Sequence, residues 1–114
     1  MGKNNLAGII LAAGKGSRTK LKSPKGLIKY KNKSLISYVI QNLKKNKIEN
    51  INIITGYKKD FFERKLNENF LNNKRWKNTN MFYSLSIADR VLKNNYCIIS
   101  YADIFYEKKA ISLL

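Results

Sequence analysis

The stretch Leu6-Ala7-Gly8-Ile9-Ile10-Leu11-Ala12-Ala13-Gly14-Lys15-Gly16-Ser17-Arg18 decides the fold. Its first six residues form an unbroken apolar run without polar alternation, the composition of a strand covered on both faces. Strands of that kind belong to parallel sheets, whose crossover helices bury both surfaces. The run passes directly into a glycine-rich, basic segment, and the polar stretch beyond it ends at Pro24, which disfavours helix at the residue before it. A strand over Leu6–Leu11 followed by a long loop is the resulting expectation.

Working outward, Ser34 suits a helix N-cap. Leu35, Ile36, Val39, Ile40 and Leu43 then recur at helical spacing up to Lys44, Lys45 and Lys47, which suit a helix C-terminus. Ile51–Thr55 reads as a second strand stopped by Gly56. Asp60 and Glu63 have the spacing of a capping box, and Phe62, Leu66 and Phe70 supply the apolar stripe of the helix it would open. A further helix is expected from about Phe82 to Leu92, burying Leu85, Ala88, Val91 and Leu92. A strand over Tyr96–Ser100 follows, and a last helix near Glu107. This alternation predicts the α/β class, as a Rossmann-like three-layer sandwich: a mostly parallel sheet with helices on both faces. Ligands of such sheets bind outside the carboxyl ends of the strands.

The chain has 114 residues and is 44% hydrophobic, which suits one compact domain and is too short for two. Aromatic content of 11% argues against disorder. Lys and Arg number 23 against 7 acidic residues, a formal charge of +16 that would attract phosphates, nucleic acid or an anionic membrane. Heavy use of Lys, Asn and Ile can equally reflect genome composition. The basic residues (Lys20, Lys44, Lys58, Lys74, Lys93, Lys108) are spread along the chain rather than gathered into one aromatic-laced block. A single cysteine, Cys97, excludes a disulfide framework within the chain and reads as an inert core residue. With no histidine, Ser-His and Cys-His catalytic pairs and His-based metal sites are excluded. Neither a signal peptide nor an apolar run of roughly 20 residues is seen, so a cytoplasmic protein is expected.

Two strand ends carry unusual residues: the glycine loop after the first strand, and Ser100-Tyr101-Ala102-Asp103 after the last. Gly14 and Gly16 let backbone N–H groups approach a phosphate, and Lys15, Arg18 and Lys25 add positive charge to the same loop. Asp103 could then hold Mg²⁺, which in nucleotide sites takes one or two carboxylates together with phosphate oxygens and water. A dinucleotide fingerprint fails, because Thr19 stands where its third glycine belongs. The Walker pattern fails because Gly14-Lys15 is followed by Gly16.

Leu11 to Arg18, followed by Ser23-Pro24-Lys25, resembles the signature of the nucleoside triphosphate transferases that make nucleotide-activated sugars and cholines. Ile53-Ile54-Thr55-Gly56-Tyr57 resembles that family's second strand. Asn78-Thr79-Asn80-Met81-Phe82-Tyr83-Ser84-Leu85 resembles a motif of its phosphocholine cytidylyltransferase-like branch, and Asp103 falls where the family places a metal-binding aspartate. The resemblance implies that residues 1–114 are the N-terminal, nucleotide-binding part of such a domain. Backbone from Leu11 to Gly14, with Lys15, Gly16 and Ser17, would contact the nucleotide. Arg18 would bind the outer phosphates, Lys25 would balance charge at the reacting phosphates, and Asp103 would hold magnesium. Asn80 and Ser84 would shape the base or acceptor pocket, although a helix N-terminus explains the pair equally well. CTP is the nucleotide the branch resemblance favours, with a phosphorylated small molecule as acceptor.

The family's full domain is roughly twice this length. A gene fragment, half of a split enzyme completed by a second chain, and a degenerate binding protein are all compatible with that. An open sheet edge would favour self-association. A reading from another class is a basic module that binds nucleotide or nucleic acid without turnover, and a third is an inactive structural partner. No membrane association is expected, and nucleic acid is the less favoured ligand.

Overall fold

The computed structural model describes residues 5–14 and 24–102. Lys15, Gly16, Ser17, Arg18 and Asp103, together with the helix expected near Glu107, lie outside the described residues.

In chain order the long elements are β1 (Leu6–Ala12), a hairpin of β2 (Lys29–Tyr30) and β3 (Lys33–Ser34), α1 (Leu35–Lys45), β4 (Asn50–Thr55) and α2 (Lys59–Lys65). They continue with β5 (Asn69–Asn72), α3 (Met81–Ile87), α4 (Asp89–Asn94) and β6 (Tyr96–Tyr101), and short 3₁₀ turns stand at Lys25–Leu27 and Trp76–Asn78. The four longer strands form one parallel sheet in the order β5-β4-β1-β6. β1 therefore has a hydrogen-bonded neighbour on each side, and its alternate residues enter two separate cores. Ile10 and Ala12 join Ile36, Ile40 and Leu43 of α1 and Phe62 of α2 on one face. Ile9 and Leu11, with Ala13 just beyond, join Leu85, Ala88, Val91 and Leu92 on the other. Burial on both faces is why β1 shows no polar alternation, and it makes the three-layer α/β reading correct.

The helix expected to carry Phe62, Leu66 and Phe70 is shorter than its stripe. It begins after Lys58, which lies in the left-handed region at φ 49°, and closes at Leu66, already extended at φ −126° and ψ 148°. Phe70 belongs instead to β5, an unexpected parallel strand beside β4. Leu66 and Phe70 nevertheless pack on the same core as Phe62. The apolar spacing identified the buried face, and that face is shared by a helix and a strand. Asp60 does not cap α2: the helix has no side-chain cap, and Glu63 pairs with Lys59, raising the Lys59 ammonium above its ordinary pKa.

The expected helix over Phe82–Leu92 is broken at Ala88 (φ −89°, ψ 22°) into α3 and α4. Its four predicted buried residues all pack on the second core. Ser34 stands at the N-cap of α1, but its hydroxyl bonds Ser37 Oγ at 2.7 Å rather than the helix backbone. Cys97 is half-buried at the rim of the second core, not inside it, with its thiol near the carbonyls of Val91 and Asn95. The β2–β3 hairpin, unseen in the sequence, turns on Lys31 and Asn32, both with positive φ (50° and 67°), as a tight hairpin requires.

Among the described residues β6 is an edge of the sheet, and Tyr96, Ile98, Ile99 and Tyr101 are 41–61% exposed. Adjacent strand residues point to opposite faces, so Ile98 and Ile99 leave both faces of β6 open.

Thr55 at the end of β4 is fully buried, and among the described residues its Oγ1 has no hydrogen-bond partner. Thr55→Val should therefore raise stability by about 1 kcal/mol, since a buried unsatisfied hydroxyl costs on that order. Urea unfolding of both proteins checks this, and a lowered midpoint would show that the hydroxyl is needed.

Candidate active site

The chain passes from β1 to β4 and β5 on one side, then returns to place β6 on the other side of β1. Connections that leave neighbouring parallel strands in opposite directions open a crevice at their carboxyl ends. A cavity of about 350 Å³ lies there, within the range of small-molecule sites. Its floor is the end of β1 and the turn beyond: Leu11, Ala12, Ala13 and Gly14. Two neighbouring segments are tied to this floor by backbone bonds, Ala102 N–H to Leu11 O at 3.1 Å and Tyr57 N–H to Ala13 O at 2.9 Å.

One wall comes from the side of the first core: Pro24, Lys25 and Gly26 of the 3₁₀ turn, with Phe62 and Ala102. Gly26 is required by close approach, because a Cβ there would stand 2.9 Å from Ala102 Cβ and 3.3 Å from the Phe62 ring. That contact holds Lys25 at the mouth, half-buried and without a carboxylate partner among the described residues. Beside the floor, a Cβ on Gly14 would meet nothing within 4 Å among the described residues.

The opposite wall comes from the side of the second core: Trp76, Thr79, Asn80, Met81 and Ser84, with Tyr101 at the rim donating its hydroxyl to Met81 Sδ. Trp76 sits edge-on to Tyr57 with ring centroids 5.2 Å apart. Asn80 is the N-cap of α3, its Oδ1 accepting from Tyr83 N–H at 3.2 Å. The helix-cap reading thus accounts for the Asn80 carbonyl. Ser84 is different: buried, it engages Asn73 Nδ2 at 2.9 Å and takes no part in the cap.

The described lining contains Lys25 and no carboxylate. The cavity therefore combines one cationic wall, one wall of neutral hydrogen-bonding and aromatic groups, and a floor of strand-end backbone. This arrangement suits a ligand that is anionic at one end and polar but uncharged at the other. Of the residues singled out in the sequence, Leu11, Ala12, Ala13, Gly14, Lys25, Asn80 and Ser84 share this cavity. Lys15, Gly16, Ser17, Arg18 and Asp103 lie outside the described residues, although Ala102, which precedes Asp103, lines the cavity. Sequence reasoning missed Asn73 and Trp76, and it quoted Thr79 and Met81 only within the Asn78–Leu85 motif without giving them a role. For Asn73 and Trp76 the available signal was the Asn-rich stretch Asn72 to Asn80, too polar to be a core segment.

The sequence profile of the MobA-like NTP transferase domain matches residues 8–114. The chain is 40% identical over 119 aligned positions to CTP:phosphoglutamine cytidylyltransferase of Campylobacter jejuni, covering 93% of this chain and 47% of that protein. It is 38% identical over 96 positions to choline-phosphate cytidylyltransferase of Streptococcus pneumoniae, covering 79% of this chain and 42% of that protein. The crystallised CTP:phosphocholine cytidylyltransferase of Streptococcus pneumoniae superposes with a TM-score of 0.72 at 37% identity, over 83% of this chain and 44% of that one. The chain thus spans about half the length of the relatives it matches.

Gly56 joins β4 to this site, and a Cβ there would lie 2.5 Å from Trp76 Cβ and 2.9 Å from Ala13 O. Gly56→Ala should cost about 1–3 kcal/mol as overpacking against backbone and shift the emission of the protein's single tryptophan. Urea unfolding followed by tryptophan fluorescence tests both. An unchanged midpoint and spectrum would mean that Trp76 is not wedged against the strand end.

Proposed function

The chain belongs to the MobA-like NTP transferase domain family, and on that premise we propose that it is the nucleotide-binding part of a nucleotidyltransferase. CTP is the favoured donor and a phosphorylated small molecule the acceptor. The observation that carries this reading is the two-sided cavity at the β1/β6 switch point, cationic at Lys25 and neutral at Thr79, Asn80 and Ser84. A nucleoside triphosphate has the same polarity, with phosphates at one end and a base at the other. Two relatives named as cytidylyltransferases support CTP. Their named acceptors, phosphoglutamine and choline phosphate, support a small phosphate monoester.

In this reading backbone from Leu11 to Gly14, with Lys15, Gly16 and Ser17, contacts the nucleotide, N–H groups at Gly14 and Gly16 approach its phosphates, and Arg18 holds the outer ones. An acceptor phosphate oxygen attacks the α-phosphorus in line. The new P–O bond forms as the bond to the bridging oxygen breaks, and pyrophosphate leaves with that electron pair. Lys25 offsets the charge that builds on the α-phosphate and leaving group. The acceptor is already ionised, so no general base is needed and the lack of histidine is no obstacle. Asp103 is the carboxylate this chain would offer to Mg²⁺, which takes one or two carboxylates together with phosphate oxygens and water, and the resemblance places a second metal-binding carboxylate outside these residues. When bound, the ion would neutralise phosphate charge.

The competing reading, a basic module for nucleic acid, has the charge of +16 in its favour. Against it, the basic residues are spread along the chain rather than gathered into one aromatic-laced block. No helix among the described residues is long and apolar enough to cross a membrane, and a cytoplasmic location is part of the proposal. The open β6 edge supports coverage by further polypeptide, either a second chain completing the domain or another copy.

Calorimetric titration in magnesium should show CTP binding, weakened about 10- to 100-fold by Arg18→Ala or Lys25→Ala, the scale of a lost charge-assisted hydrogen bond. Asp103→Ala should weaken binding only when magnesium is present. Binding of single-stranded RNA that collapses with rising salt, without triphosphate binding, would favour the nucleic-acid module instead. On light scattering, the isolated chain should run heavier than 13.2 kDa, and Ile99→Lys should return it to a monomer. A monomeric parent would rule out self-association through β6.

A further inference from the structure

Asn73 is 1% exposed and has every polar atom engaged. Its N–H donates to Thr55 O at 2.7 Å, tying it to the carboxyl end of β4, and its carbonyl accepts from Trp76 N–H at 3.3 Å. Its Oδ1 accepts from Arg75 N–H at 2.9 Å. A backbone N–H can only donate, so this bond fixes which side-chain atom is the oxygen. Nδ2 must then face Thr79 Oγ1 at 3.1 Å and Ser84 Oγ at 2.9 Å, donating to both.

The two hydroxyls end up unlike each other. Thr79 Oγ1 gives its proton to Arg75 O at 2.7 Å, so it can offer the cavity only a lone pair. Ser84 accepts from Asn73, and among the described residues its own proton has no acceptor. It is a buried hydroxyl lining the cavity on the neutral wall. A buried hydroxyl proton without a protein acceptor is a donor kept for a ligand.

We propose that Asn73 is a positioning residue that sets the hydrogen-bond polarity of the nucleoside end of the site, holding Ser84 as a donor toward an acceptor oxygen of the bound nucleoside. This rests on the cavity binding a nucleoside triphosphate. A pyrimidine carbonyl or ribose oxygen satisfies Ser84, whereas an amino group presented to it would not. Asn73 touches no ligand itself and selects through Ser84.

Asn73→Asp keeps the shape and reverses the polarity, because the carboxylate accepts the Ser84 proton and leaves only a lone pair facing the cavity. Calorimetry of the full chain with CTP, UTP, GTP and ATP is compared with tripolyphosphate, which reports the phosphate end alone. Asn73→Asp should weaken the preferred nucleotide about tenfold more than it weakens tripolyphosphate, flattening the preference among bases. Ser84→Ala should weaken it about fivefold and leave tripolyphosphate unchanged, each being the scale of one neutral hydrogen bond. Adding Ser84→Ala to Asn73→Asp should bring no further loss. If the parent binds nucleotide and Asn73→Asp lowers all ligands equally, the positioning role is overturned while the nucleotide site stands. If the parent binds no nucleotide, both fail together. Should Asn73→Asp not fold, a crystal structure of the parent with CTP decides. Ser84 Oγ within hydrogen-bond distance of a nucleoside oxygen supports the inference, and Ser84 facing an amino group or empty space overturns it.

Discussion

The rest of the molecule depends on the burial of β1. Paired in parallel register to β4 on one side and β6 on the other, and covered on both faces, it leaves none of its backbone groups for water except at its ends. Ile9 and Ile10 are fully buried in opposite cores, each gaining the roughly 1.5–3 kcal/mol that full burial of such a side chain provides. This strand also makes the site. The chain reverses its lateral direction across β1, so the carbonyls that end it are free to collect the segments after β4 and β6 rather than another helix packed over the end.

Two walls of opposite character follow from that geometry. The segment between β1 and α1 folds over one face and carries Lys25, pressed into place by a glycine that lets it lie on Ala102. The segment between β5 and α3 folds over the other face and carries uncharged polar residues, organised by one buried amide. A cation at one end and fixed neutral hydrogen-bonding groups at the other give the cavity two unlike ends, which is the basis of the proposed division between phosphate and nucleoside recognition. Neither wall can be displaced without disturbing a core, because Leu27 and Trp76 anchor these segments in the two apolar clusters.

The edge at β6 shows how far the sheet is finished. Its residues Cys97 and Ile99 pair with β1 in the same manner as the β4 residues on the opposite flank, yet Ile98 and Ile99 remain substantially exposed. A strand of this composition is built for burial on both faces, and the relatives that share the domain are about twice as long. Among the described residues the sheet is ordered around β1, and its β6 flank presents unpaired backbone and apolar surface.

The amino-acid sequence by itself determined the α/β class, the strands β1, β4 and β6, the helix α1, and the side chains that face the two cores. All of these are recorded in apolar spacing along a single segment. It also singled out the glycine loop and Lys25 as candidates, because glycine permits close backbone approach and lysine adds positive charge. Only the tertiary structure decided that Phe70 sits on a strand, that the long helix breaks at Ala88, and that the Asn73 amide donates to Ser84. Spacing reports which face of a segment is apolar, and a short helix or strand can satisfy the same face equally well. The direction of a hydrogen bond depends on partners that folding brings together, here Thr55, Arg75 and Ser84 around one amide, and no single segment holds that information.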